Sequence, residues 1–356
     1  MKVSLKNKIF FNLFNSYKNI QKDLHELSYL FWECTLRCNL NCLHCGSDCK
    51  KTSNTKDMPL KDFLNVLLDV KKEYNPHKTI IVLTGGEPLL RDDLEECGAE
   101  FYKNEFPWGM VTNGLAMTEK RFVKLLESGL RSITISLDGL KESHNWLRNN
   151  PNSYKKASEA IYFASNTKNL VYDVVTCVNQ KNFNELPYIK EELIKLGVKN
   201  WRLFTIFPKG RAADNQLLDL KNEQFRELMD FIVKTRNEKV IKASFSCEGF
   251  VGNYEAKVRD GIFFCRAGIN IGSVLADGSI SACPSLRGDY IQGNIYKDNF
   301  IDVWKNKFNI MRDRKWAHTG ICADCDCFKW CEGNGLHLRD EKTGELLKCH
   351  LKMLED

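Results

Sequence analysis

The chain has 356 residues, enough for one large domain or two medium ones with a proper core. Hydrophobic content of 43%, charged content of 28% and a net charge of +6 spread over lysines along the whole chain argue against a nucleic-acid-binding patch. No run approaches the roughly 18 apolar residues of a membrane span, and residues 1–27 lack the apolar core and cleavage site of a secretory signal. Fifteen cysteines without an export signal place the chain in the reducing cytoplasm, where thiols serve as metal ligands more readily than as disulfides.

Residues 1–27 carry Lys2, Lys6, Lys8, Lys18 and Lys22, while Phe10, Leu13, Phe14, Tyr17 and Leu24 recur at helical spacing. This predicts an amphipathic helix, either packed on the domain behind it or offered to a partner or an anionic membrane. From 28 to 240, short apolar runs alternate with amphipathic helical stretches. Strands are expected at 28–33, 79–84, 109–112, 132–137, 171–178 and 201–206. Helical patterns fall near 60–74, 91–104, 118–128, 153–167 and 183–196, with a further helix near 222–239. Six strands alternating with helices predict an α/β fold with parallel strands and right-handed crossovers, and chemistry at the strands' C-terminal ends. From 241 to 356 the pattern changes. A hairpin is expected over 270–283 with its turn at Asp277–Gly278, and the cysteine-rich remainder needs metal to fold.

Cys38, Cys42 and Cys45 follow the first strand as Cys-x3-Cys-x2-Cys. A closed metal site needs four ligands, whereas a [4Fe–4S] cluster on three thiolates leaves one iron open to a small molecule. The alternative is a zinc knuckle closed by His44 or Cys49. The second strand ends in Thr84-Gly85-Gly86-Glu87-Pro88 and the fourth in Ser136-Leu137-Asp138-Gly139, where Asp138 also suits a turn cap. Thr112-Asn113-Gly114 ends the third strand, Asn179 follows the fifth, and Phe207-Pro208-Lys209-Gly210-Arg211 follows the sixth. Arg202 and Arg211 read equally as surface ion-pairing groups. Cys97 and Cys177 lie in helix and strand patterns as packed thiols.

In this order, the cysteine motif, the Gly-Gly-Glu-Pro segment and the serine after the fourth strand resemble the radical S-adenosylmethionine (SAM) enzymes. The resemblance implies a partial (β/α)6 barrel over 28–240 and a cluster on Cys38, Cys42 and Cys45. It implies a SAM cradle of His44 near the adenine, Gly85 and Gly86 at close approach to the ligand, Glu87 on the ammonium group, Ser136, and Asn179 near the ribose. It does not use Cys34 or Cys49. Cys265-x12-Gly278-x4-Cys283, Cys322-x2-Cys325-x5-Cys331 and Cys349 are similar to the SPASM extension, which holds two auxiliary [4Fe–4S] clusters. By that pattern Cys322, Cys325, Cys331 and Cys349 complete one cluster, while Cys265 and Cys283 belong to the other. The pattern expects a further cysteine where this chain has Gly335; Cys247, and after it Cys327, is the substitute, or that iron stays open. Zinc on Cys322, Cys325, Cys331 and Cys349 is the alternative. His337 and His350 read as structural.

The resemblance implies reductive cleavage of SAM to a 5′-deoxyadenosyl radical and oxidative modification of side chains in a ribosomally made peptide. The alternatives are a sulfatase-maturase-like modifier of a protein residue, and a non-catalytic metal-stabilised peptide-binding scaffold. Expected partners are the peptide or protein substrate and an electron donor such as flavodoxin or ferredoxin; since residues 1–27 are too short for a fused leader-binding domain, either a separate leader-binding protein or direct capture of an extended peptide on an exposed strand edge is expected. No acid or base is singled out by spacing.

Overall fold

The computed structural model describes residues 3–213, 215–246 and 248–355. Helix α1 (Leu5–Leu24) leads into strand β1 (Tyr29–Thr35). There follow α2 (Leu60–Glu73), β2 (Ile80–Gly85), α3 (Leu94–Lys103), β3 (Trp108–Thr112), α4 (Glu119–Glu127) and β4 (Leu130–Ser136). Next come α5 (Lys141–Arg148), α6 (Ser153–Ser165), β5 (Val171–Val178), α7 (Leu186–Lys195), β6 (Asn200–Thr205), α8 (Asn222–Glu238) and β7 (Lys242–Phe245). β1 to β7 pair in sequence order, every pair parallel, with helices in each crossover. The six expected strands form within two residues of their expected bounds.

Beyond them, β8 (Ile271–Val274) pairs parallel to β1, so the chain returns to the barrel's first edge. It turns at Asp277–Gly278, where Gly278 takes φ 86°, into antiparallel β9 (Ser279–Ser281), and β10 (Gly293–Asn294) adds to β9. The hairpin expected near 270–283 therefore forms, and its position is the new information: it extends one ten-stranded sheet. That edge-to-edge pairing hides β1, which would otherwise expose unpaired backbone groups.

The core lies between the sheet and its helices. Trp32 on β1 stacks on Phe63 of α2 at 4.4 Å between ring centroids, and Phe101 and Trp108 complete the cluster edge-on. All four rings are fully buried, each contributing roughly 1.5–3 kcal/mol. The helix α5, KESHNWLR, was not expected from the sequence because only Trp146 and Leu147 are large and apolar in it.

α1 packs on the cysteine-rich end of the chain. Phe11 meets Phe250 and Trp330 edge-on at 5.4 and 5.3 Å. The buried Lys18 ammonium donates to the Trp330 carbonyl at 2.7 Å and faces Glu332 at 3.6 Å; burial still lowers its pKa. The opposite face, with Leu5, Ile9, Leu13, Ile20 and Leu24, is exposed. Phe11→Ala is expected to cost about 3 kcal/mol by the cavity it leaves, read as a lower denaturant midpoint. An unchanged midpoint would mean that α1 is not held through this contact. No helix among the described residues is long and apolar enough to cross a membrane.

Candidate active site

The loop after β1 folds back on itself. Cys38 N–H donates to the Lys50 carbonyl at 2.8 Å, so residue 49 returns beside residue 38. Arg211, from the segment after β6, clamps the loop: its Nε donates to the Cys42 carbonyl at 2.7 Å and its Nη1 to the Cys49 carbonyl at 3.0 Å and Asp48 at 2.8 Å. Its own N–H donates to the Cys45 carbonyl at 3.1 Å. Arg211 is thus a loop clamp. Arg202, by contrast, pairs with Asp173 away from the loop.

The clamped loop turns Cys38, Cys42 and Cys45 into a cavity of about 150 Å³ at the C-terminal ends of the strands. Its other walls are His44, Cys49, Thr84 to Glu87, Val111 to Asn113, Ser136, Arg148 and Arg211. Burial pushes the Cys38 thiol up to about 12 and raises Cys42 as well. Two donors face these sulfurs: Asn113 Nδ2 at 3.9 Å from Cys38 Sγ, and Arg148 Nη1 at 3.8 Å from Cys42 Sγ. Cys45 and Cys49 share a hydrogen bond that lowers Cys45 and raises Cys49. Three thiols on one wall, with polar hydrogens aimed at two of them, suit an anionic iron–sulfur cluster.

Gly85 and Gly86 line the cavity and also make a close approach of their own to backbone. A Cβ on either would sit 2.1 Å from a β1-side carbonyl, Thr35 O or Arg37 O, and Gly85 takes φ 135°. Their bareness lets the end of β2 bond to the cysteine loop, through Gly86 N–H to Thr35 O at 2.8 Å and Glu87 N–H to Arg37 O at 2.9 Å. Glu87 is buried and accepts from Thr112 Oγ1 at 2.7 Å, Asn113 N at 2.8 Å and Leu89 N at 3.2 Å. Burial raises its pKa against those hydrogen bonds. The carboxylate therefore ties β2 to β3 while still lining the cavity.

Ser136 lines the cavity from β4. His44 does so with a buried Nδ1 that has no partner, and burial depresses its pKa to about 3, keeping the ring neutral. An unsatisfied buried nitrogen at a cavity wall marks a place for a ligand. Asn179 is not brought to this wall. It is 1% exposed, and its amide is spent in its own turn on Cys177 O, Lys181 N and Asn182 N.

Arg148 on α5 is the site residue that the sequence did not reveal. Its Nε donates to Asp138 Oδ2 at 2.5 Å, and Asp138 Oδ1 accepts from Cys177 N–H at 2.8 Å. His44, Asp138 and Cys177 bring donor atoms within 4.8 Å of one another, but the Arg148 guanidinium already supplies the positive charge there. Asp138 N–H donates to His144 Nδ1 at 2.9 Å, so the Ser-Leu-Asp-Gly turn is held from α5.

At the other end of the chain, Cys325, Cys327, Cys331 and Cys349 pack around Phe250, Phe263, Trp330 and Leu351. Cys322 Sγ lies 3.4 Å from Arg339 Nη2, and Cys331 Sγ accepts from Asn334 N–H at 3.2 Å. Burial raises the Cys265 thiol, but Arg314 and the Leu336 and Ala267 N–H groups bring it below its ordinary value. Cys283 follows β9. A Cβ on Gly335 would sit 2.6 Å from the Glu248 carbonyl, which fills the place of the missing cysteine side chain. Cys247 lies outside the described residues. His350 is buried against Thr205 Oγ1 at 3.0 Å, and His337 against Phe207. Cys34 and Cys97 are core thiols.

A second cavity of about 600 Å³ shares Cys45 and Gly85 with the first and opens towards the C-terminal segment. Phe207, Lys209, Ser285, Arg287 and Glu341 line it. Lys209 pairs with Glu341 at 3.1 Å, and Arg287 reaches the buried Glu33 on β1.

Residues 32–193 match the family model described as the radical SAM superfamily, and residues 265–326 the iron–sulfur cluster-binding domain SPASM. The chain is 28% identical over 309 residues to the mycofactocin maturase MftC of Mycolicibacterium smegmatis, covering 85% of this chain and 76% of that one. It is 24% identical over 324 residues to an AdoMet-dependent heme synthase of Methanosarcina barkeri, covering 85% and 89%. In fold it is similar to Streptococcus suis SuiB bound to S-adenosylmethionine, with a TM-score of 0.68 at 17% identity over 91% of this chain and 78% of that one. SuiB has also been solved with its precursor peptide SuiA, at a TM-score of 0.66.

Proposed function

We propose that this chain, a radical SAM enzyme with an iron–sulfur-binding SPASM domain, oxidatively modifies side chains of a ribosomally made peptide. Its cofactors are [4Fe–4S] clusters and S-adenosylmethionine. The observation that carries the reading is a pair of neighbouring cavities that share Cys45 and Gly85: a small one walled by thiols and a larger one, wide enough for a peptide side chain.

Cys38, Cys42 and Cys45 would hold the SAM-binding cluster. His44, Glu87 and Ser136 would face SAM, with Gly85 and Gly86 shaping that wall and Asn179 only supporting it through its turn. When bound and reduced, the cluster supplies the electron that splits SAM into a hydrogen-abstracting 5′-deoxyadenosyl radical. The chain's own part is to orient and to exclude water: Arg211 fixes the loop, Glu87 fixes β2 against β3, and Arg148 offers a positive charge to Cys42.

In the SPASM segment, Cys322, Cys325, Cys331 and Cys349 would hold one auxiliary cluster, with Cys327 packed beside them. Cys265 and Cys283 would hold the other. Cys247 is our choice for its further ligand, as the next cysteine upstream of Cys265 in the chain. We divide the chain at 27 and 240 into the docked helix, the barrel and this segment. A flavodoxin or ferredoxin would supply electrons, and a separate leader-binding protein would deliver the peptide.

Peptide chemistry is supported by the maturase relative and by the likeness to SuiB. The test is mass spectrometry of each short peptide encoded beside the gene, coexpressed with this chain and with cluster-assembly support. A peptide lighter by a pair of hydrogens, only when Cys38 is intact, is the expected result. Unchanged peptides, with turnover of a sulfatase segment or of an iron porphyrin by the purified enzyme, would overturn it.

A further inference from the structure

Cys49 is the thiol that the proposed cluster does not use, and it is not a core thiol like Cys34 and Cys97. It is 5% exposed and lines the same small cavity as Cys38, Cys42 and Cys45, packed with them and with Leu36, Leu40 and Leu115. Its thiol donates to the Ser47 carbonyl at 3.9 Å. Its backbone is fixed from both sides, by Arg211 on its carbonyl at 3.0 Å and by the Cys38 N–H bond to Lys50 O at 2.8 Å. A fourth thiol is therefore built into a wall where three would hold the cluster. A thiolate is also a better ligand for iron than water.

We infer that Cys49 is a resting-state ligand: its thiolate occupies the open iron of the SAM-binding cluster until SAM displaces it. The inference rests on the assignment of Cys38, Cys42 and Cys45 to that cluster. The exchange moves no electrons. The iron–sulfur bond to Cys49 breaks, the amino nitrogen and carboxylate oxygen of SAM take the iron, and the proton shed by the SAM ammonium group matches the one the freed thiolate takes up. Cys49 would thus compete with SAM, and would keep the fourth iron from being lost while no SAM is bound.

The test uses the full chain, reconstituted with clusters and left oxidised so that SAM is bound without being cleaved. SAM binding to wild type and to Cys49→Ala is measured by equilibrium dialysis. Removing a competing internal ligand is expected to tighten SAM binding by about fivefold or more, because the competent fraction rises. Brief oxidation without SAM is expected to give a larger three-iron signal by electron paramagnetic resonance in the variant than in wild type, and added SAM is expected to abolish the difference. Equal or weaker SAM binding by the variant, with equal three-iron signals, would overturn the inference. If the alanine variant does not load iron, Cys49→Ser keeps the size while offering a poorer iron ligand, and the same two readings decide. A wild-type chain that binds no SAM would instead sink the cluster assignment itself.

Discussion

Replacing Cys38, Cys42 and Cys45 together with alanine is expected to abolish SAM cleavage while leaving the C-terminal iron in place. Cys38, Cys42 and Cys45 pack in a different cluster from Cys325, Cys331 and Cys349. The first set touches Leu36, Leu40 and Leu115, whereas the second is built around Phe250, Phe263 and Trp330. The loop that carries the first set is clamped by backbone carbonyls on Arg211 and by Leu43 N–H on the Leu147 carbonyl at 2.8 Å, none of which needs a thiol. The fold should survive the substitution. Iron per chain should fall by one cluster's worth, and 5′-deoxyadenosine should drop below detection under reducing conditions. Loss of all iron would mean that metal binding and folding are coupled across both halves, and that the two packing clusters do not act separately.

The parallel sheet was legible because each strand is a short apolar run between helices with clear period, as with Leu60, Phe63, Leu64 and Leu67 on α2. Strand ends could then be ranked as chemical positions, which located the cysteine loop, Glu87 and Ser136. Three things were hidden. The place of the 271–281 hairpin was hidden because β8 to β1 is a non-local pairing with no spacing rule. A second reason for Gly85 and Gly86 was hidden because the neighbours they avoid are the Thr35 and Arg37 carbonyls, and backbone has no sequence signature. Arg148 was hidden because α5 is short and polar. Nothing in its spacing marks a helix there or ties it to Asp138, ten residues earlier. Arg211 stands out in the sequence after the sixth strand, but its task on the Cys42 and Cys49 carbonyls depends on tertiary contact alone.

Asp138→Asn is expected to cost about 3–5 kcal/mol of stability, because it leaves Arg148 buried without its counter-charge. Asp138 is fully buried and Arg148 is 8% exposed, and the pair is joined at 2.5 Å. Burial pushes the Asp138 carboxyl up, but the Arg148 guanidinium, with His44 and His144, outweighs it and holds the pKa at about 2. An ordinary aspartate titrates near about 3.9. The folded value is depressed, so the pair's stabilisation is fully present above about pH 4 and is lost as pH falls from there towards 2. The Asn variant should lack that part of the acid-unfolding curve. Replacing both partners, as Asp138→Leu with Arg148→Met, should cost less than the single change, since no buried charge is then left alone. The cycle separates two roles of Arg148. If it only balances Asp138, the double variant should regain stability and keep the wild-type reduction potential of the SAM-binding cluster. If its contact with Cys42 Sγ matters, stability should return while the potential falls below the wild-type value, because the positive group that favours the reduced cluster is gone. A single Asn variant within about 1 kcal/mol of wild type would show that water reaches Arg148, and the pair would then be no more than a surface ion pair in its energetics.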